Sequence, residues 1–214
     1  MGLKAAIVPV TPFQQNCSLW WDEATGEGVV VDPGGDVEQI LHAIGELKLK
    51  VGSILLTHGH LDHAGGAAAL QEALPDRPPI IGPDERDRFL LEGIETQGSQ
   101  YGFECRNVTP DRWLTEGETV SIGGEDFAVL HCPGHTPGHL VFVSEALRIA
   151  IVGDVLFQGS VGRTDFPYGD PEALIRSIHD KLLPLGDDMA FLCGHGPGSS
   201  FGQERRTNPF LRDG

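Results

Sequence analysis

The chain has 214 residues, 40% of them hydrophobic, and its 15 basic against 31 acidic residues give a net charge of -16. That length suffices to bury a large core, and the composition is not that of a disordered chain. The acidic balance argues against non-specific binding to nucleic acid or to an anionic membrane, although bound divalent ions and a few arginines can make one pocket locally positive.

The opening stretch from Met1 to Val10 is interrupted by Pro9 too early for a signal peptide. No apolar run approaches the ~20 residues of a membrane span. The expected setting is the cytoplasm, where Cys17, Cys105, Cys132 and Cys193, with no CxxC pair among them, are free thiols.

Apolar runs and helical stripes alternate along the chain. Val29-Val30-Val31 predicts a buried strand ending at Asp32-Pro33-Gly34-Gly35, and residues 36–50 carry Ile40, Leu41, Ile44 and Leu47 at helical spacing. A strand follows at 53–57, a small-residue helix at 64–74, a short strand at 80–81 and a helix at 84–91. The second half gives strands at 127–130, 140–143, 148–152 and 189–193, with a proline-opened helix at 171–183. No linker or repeat divides the chain, so residues 1–214 are expected to form one α/β domain with sheets inside and helices outside.

Four candidate ligands crowd into Thr57-His58-Gly59-His60-Leu61-Asp62-His63, too closely for a regular helix or strand to aim them at one point. A loop at a strand end can do so, and Gly59 lets it turn sharply. Imidazole with carboxylate suits zinc, iron or manganese rather than calcium. His135, Asp154 and His195 each follow a predicted strand and sit beside glycine, so the seven residues can converge where four strands end. A single histidine so placed is ordinarily packing, but seven polar groups buried together without partners would cost several kcal/mol. Seven also exceeds the three or four protein ligands of one zinc site, which favours two ions sharing a carboxylate.

The run THGHLDH with the later His, Asp and His resembles the metallo-β-lactamase superfamily over nearly the whole chain. The segments His135-Thr136-Pro137-Gly138-His139, Gly153-Asp154-Val155-Leu156-Phe157 and Gly194-His195-Gly196-Pro197 are similar to glyoxalase II, the hydroxyacylglutathione hydrolases. The ending Glu204–Leu211 is similar to the short bacterial form, which lacks the C-terminal helical domain of the longer enzymes. This resemblance implies a four-layer αββα sandwich of the metallo-β-lactamase type. It implies that His58, His60 and His135 hold one divalent ion and Asp62, His63 and His195 the other, with Asp154 bridging. Zinc is the first expectation, iron or manganese the alternatives. Asp62 and Asp154 are then the catalytic carboxylates, and the reaction is hydrolysis of a small thioester, S-lactoylglutathione or a related hydroxyacylglutathione, by a hydroxide between the ions.

Arg163, Arg205, Arg206 and Tyr101 are the candidate substrate contacts, and Phe103 accompanies Tyr101 in its polar loop. Each has a plainer reading: an ion pair for Arg163, solvated helix charge for Arg205 and Arg206, a loop anchor for the aromatics. His139 either orients a ligand or packs. The runner-up activity is an iron-dependent persulfide dioxygenase, to which Gly162-Arg163-Thr164-Asp165-Phe166 is also similar; a non-catalytic binding module of the same fold is a third reading. Oligomeric state is left open by the sequence.

Overall fold

A computed structural model describes residues 2–102 and 104–211; Phe103 lies outside the described residues. The first half opens with three antiparallel strands, β1 (Leu3–Val10), β2 (Gln15–Asp22) and β3 (Glu27–Val31). Helix α1 (Val37–Leu47) then crosses over to β4 (Lys50–Leu55), which runs parallel to β3. Two short helices, α2 (Leu61–Ala64) and α3 (Ala67–Ala73), lead to β5 (Ile80–Ile81), parallel to β4. The strand order is β1-β2-β3-β4-β5. Helices α4 (Arg88–Leu91) and α5 (Ile94–Tyr101) close this half.

The second half is an antiparallel run of β6 (Thr119–Ile122), β7 (Glu125–His131), β8 (Leu140–Ser144) and β9 (Ile149–Gly153). A small hairpin of β10 (Leu156–Phe157) and β11 (Ser160–Val161) and then α6 (Pro171–Ser177) precede β12 (Ala190–Cys193), which adds parallel to β9. Strand β13 (Ser199–Ser200) and helix α7 (Phe201–Thr207) follow, and the sheet order is β13-β12-β9-β8-β7-β6.

Side-chain alternation along the central strands builds the layers. Val29 and Val31 of β3 face Phe127, Leu140, Phe142 and Ile151 of the second sheet, while Val30 between them faces Ile40, Leu70 and the first-half helices. Likewise Val141, Val143, Ala150 and Val152 turn outward onto Leu174, Ile178, Leu182 and Phe201. Helix, sheet, sheet and helix therefore stack around three apolar seams, the α/β arrangement expected.

Several elements differ from the sequence reading. Strands β1, β2 and β6 and helix α5 carry no strong periodic signal; β1 is an edge strand whose residues are largely solvent-facing. The helix expected at 64–74 is broken at Gly65-Gly66, where a Cβ on Gly66 would lie 2.7 Å from the Pro33 carbonyl oxygen. The helix expected at 171–183 is α-helical only to Ser177, then widens through Ile178–Leu182 into a 3-10 turn over Leu183–Leu185. Pro184 has no N–H with which to continue the α-helical ladder.

Candidate metal centre and its cleft

The seven candidate ligands lie just past the C-terminal ends of four strands. A loop over 57–60 follows β4 in the first sheet and runs into α2, which carries Asp62 and His63, and His135, Asp154 and His195 follow β7, β9 and β12 in the second. Strands β7, β9 and β12 share one direction, so their ends meet at one edge.

Three imidazole nitrogens converge on one point. His60 Nδ1 lies 3.1 Å from His58 Nε2 and 2.9 Å from His135 Nε2. Tetrahedral zinc with nitrogen ligands at 2.0–2.1 Å requires donors about 3.3 Å apart, close to this spacing. The outer face of each ring is held. His135 Nδ1 donates to the Arg163 carbonyl at 2.8 Å, which leaves the lone pair of Nε2 pointing inward. His58 Nδ1 is 3.0 Å from Thr57 Oγ1, and His60 Nε2 is 2.9 Å from Tyr168 Oη. Burial holds all three rings below the usual imidazole range, His60 at about 3, so they are neutral donors.

The second set is richer in carboxylate. His195 Nε2 lies 3.2 Å from Asp62 Oδ2, and His63 Nε2 lies 3.9 Å from the same oxygen. His63 Nδ1 donates to Asp32 Oδ2 at 2.9 Å and His195 Nδ1 to the Phe13 carbonyl at 3.2 Å, again turning Nε2 inward. Asp154 stands between the two sets: Oδ1 is 3.3 Å from His63 Nε2, and Oδ2 is 3.6 Å from both His135 Nε2 and His195 Nε2.

These residues fit a pair of cations. His63 Nε2 and Asp154 Oδ1 are buried without a hydrogen-bond partner, an arrangement that costs free energy unless something positive lies between them. Burial disfavours charge on His63 and His195, yet the Asp154 and Asp62 carboxylates outweigh it and raise both rings above the ordinary value. The carboxylates thus draw positive charge into this set, and bound ions would replace those protons.

Asp32, His58 and His63 form a third close group, but both oxygens of Asp32 are already engaged. It accepts from Thr57 N at 2.8 Å, from Thr57 Oγ1 at 2.6 Å and from His63 Nδ1, so it supports ligands rather than joining them. His139 has a comparable role. Its Nε2 accepts from the Asp154 backbone N–H at 3.0 Å, and its ring stacks on His58 at 4.5 Å. Glycine makes room for the crowd: a Cβ on Gly194 would lie 2.1 Å from Asp154 Oδ1 and 2.5 Å from His63 Cε1.

The centre floors a cleft of about 630 Å³. Phe13 and Tyr101, edge to face at 5.5 Å, form one wall, and Phe166 and Tyr168, stacked at 5.2 Å, form the other. Larger hollows of about 920 and 960 Å³ elsewhere on the surface hold none of the seven ligands. Arg163 lines the cleft, but its guanidinium is forked onto Asp165 at 2.7 Å and lies 4.4 Å over the Phe166 ring.

Arg205 and Arg206, expected as substrate contacts, are not among the residues lining the cleft. Arg205 Nε bonds Asp187 Oδ1 at 2.8 Å and Arg206 Nη1 is 3.9 Å from Asp187 Oδ2, because α7 packs these residues toward the turn before β12. Asp32 and Tyr168 were not singled out from the sequence as part of the site. Asp32 shows nearly the same signal as the ligands, standing just after a buried strand and two residues before Gly34, whereas Tyr168 has only its place in a turn downstream of Asp154.

Two complete donor sets, a shared carboxylate and an open cleft define a metallohydrolase that works with two metal ions. The metallo-β-lactamase superfamily model matches residues 10–195, and the chain belongs to that superfamily. It is 49% identical over 211 residues to the hydroxyacylglutathione hydrolase GloC of Haemophilus influenzae, covering 98% of each protein. Among solved structures it is similar to BLEG-1 B3 metallo-β-lactamase, with a TM-score of 0.88 and 34% identity over 98% of this chain and 100% of that one. It is also similar to TTHA1623 in a di-iron-bound form, with a TM-score of 0.86 and 39% identity over 96% and 100%. Among the described residues no helix is long and apolar enough to cross a membrane.

Proposed function

We propose that this chain hydrolyses the thioester of an S-hydroxyacylglutathione, with S-lactoylglutathione the leading substrate. The observation that carries the reading is Asp154, set between a complete His58–His60–His135 group and a complete Asp62–His63–His195 group at the base of an open cleft. The Haemophilus relative supports the substrate, since its name is that of a hydroxyacylglutathione hydrolase and the match spans both proteins.

Two divalent ions, when bound, supply a hydroxide nucleophile near neutral pH and polarise the carbonyl oxygen; zinc, iron and manganese all suit these donors. The chain does the rest. Neutral His58, His60 and His135 offer lone pairs at one point, and Asp62, His63 and His195 offer a more anionic set beside it. The aromatic walls confine the acyl group over that floor. A thiolate whose conjugate acid has a pKa of about 8.5 departs without a strong general acid, and among the described residues the cleft offers no carboxyl group besides the ligands.

The test is metal content per chain together with three assays on the same preparation: S-lactoylglutathione hydrolysis, β-lactam hydrolysis, and oxygen uptake with glutathione persulfide. Two ions with thioester hydrolysis are expected. One iron with oxygen uptake and no hydrolysis, or β-lactam turnover alone, would overturn the reading.

A further inference from the structure

Asp87 is fully buried, yet the proposed chemistry does not use it. Its Oδ2 accepts from the Gly59 N–H at 2.9 Å and from Thr136 Oγ1 at 2.7 Å, while Oδ1 accepts from the Gly138 N–H at 2.6 Å. Gly59 lies between His58 and His60; Thr136 follows His135, and Gly138 precedes His139. The two loops belong to different sheets. A backbone bond from Leu140 N to the Thr57 carbonyl at 2.8 Å ties them at the strand ends, and Asp87 ties them again nearer their tips.

Both glycines are spaced for this contact. A Cβ on Gly59 would lie 3.0 Å from the Asp87 carbonyl oxygen, and one on Gly138 would lie 2.7 Å from the Asp87 nitrogen. All three donors are neutral, and burial pushes the carboxyl up to about 6. Such a carboxylate is costly to bury, and what it achieves is the register of two ligand-bearing loops. We propose that Asp87 is a positioning residue that sets the gap between His60 and His135, and so governs the hold on the first ion but not the second. The inference rests on the two-ion reading.

The test is zinc release from the fully loaded protein, titrated against a chromogenic chelator, with the cobalt-substituted absorption spectrum as a second readout. Asp87→Asn turns one acceptor oxygen into a donor that must face the N–H of Gly138 or of Gly59. It is expected to weaken one of the two ions by about 10–100-fold, the usual effect of losing an outer support, to leave the other within about threefold, and to shift the cobalt bands of one site. Glu85→Gln, on the same turn but exposed and paired with Arg88, should leave both ions in place. Should Asp87→Asn not fold, Thr136→Val removes one of the three bonds and should weaken the same single ion to a smaller extent. A two-ion wild type in which both ions weaken in parallel, or neither does, would overturn this proposal alone. A wild type holding one ion would instead fail the two-ion reading on which it rests.

Discussion

Asp32 Oδ2 lies 2.9 Å from His63 Nδ1, and this bond decides which nitrogen of the His63 ring faces the metal centre. The same carboxylate fixes Thr57, directly before His58, so one buried acid steadies two ligands. Replacing Asp32 with Ala should weaken metal binding by about 10–100-fold, with the ion at His63 affected more. Chelator competition on the full-length protein measures this, and unchanged release of both ions would contradict it.

Asp154 contacts both donor sets through separate oxygens. Asp154→Ala should remove thioester hydrolysis and lower metal content from about two ions to about one. Metal analysis after gel filtration, beside the hydrolysis assay, checks both parts; retained activity would show that Asp154 is no bridge.

Acid should empty the two sets in order. A ligand binds metal only when deprotonated, so a ring whose pKa is raised meets proton competition at higher pH than one whose pKa is lowered. His63 and His195 are raised, while His58, His60 and His135 are lowered. As pH falls, the ion at Asp62, His63 and His195 should leave first. Metal content after dialysis at stepped pH should pass through a one-ion plateau; simultaneous loss would refute the order.

Phe166 lines the cleft and Arg205 does not. Phe166→Ala removes an aromatic wall and should raise KM by about 10–100-fold, the equivalent of roughly 1.5–3 kcal/mol of apolar contact. Arg205→Ala breaks only the contacts with Asp187 and the Leu183 carbonyl and should leave KM within about twofold. Steady-state kinetics with S-lactoylglutathione distinguish the two, and a large KM effect at Arg205 would return that residue to the substrate site.

Phe142 is fully buried in the seam between the sheets. Phe142→Ala should cost about 3–5 kcal/mol of stability, measured by urea unfolding of the metal-free protein. A loss below 1 kcal/mol would mean that the sheets do not pack through this residue.

What was legible in the sequence divides by distance along the chain. The 57–63 run is legible because four donors within seven residues have no bland explanation, and β3, β8 and β9 are legible because burial on both faces makes them continuously apolar. Edge strand β1 is not, since a half-exposed strand carries a weaker pattern. The supports are harder still. Asp87 reaches Thr136 across 49 residues and His60 reaches Tyr168 across 108, contacts set by how the two sheets stack and not by any local spacing. The Asp187 contacts of Arg205 and Arg206 are likewise set by how α7 packs, and no local spacing announces them.

The division of ligands between two sheets also imposes a timetable on synthesis. His58, His60, Asp62 and His63 leave the ribosome together, but no full set of donors exists until His135 has followed, and the second set closes only with His195. A nascent chain therefore carries an open, partly assembled chelator through most of its translation. Metal capture thus cannot precede His135 for one set or His195 for the other, and the ions, once seated, rivet the early half of the protein to the late one.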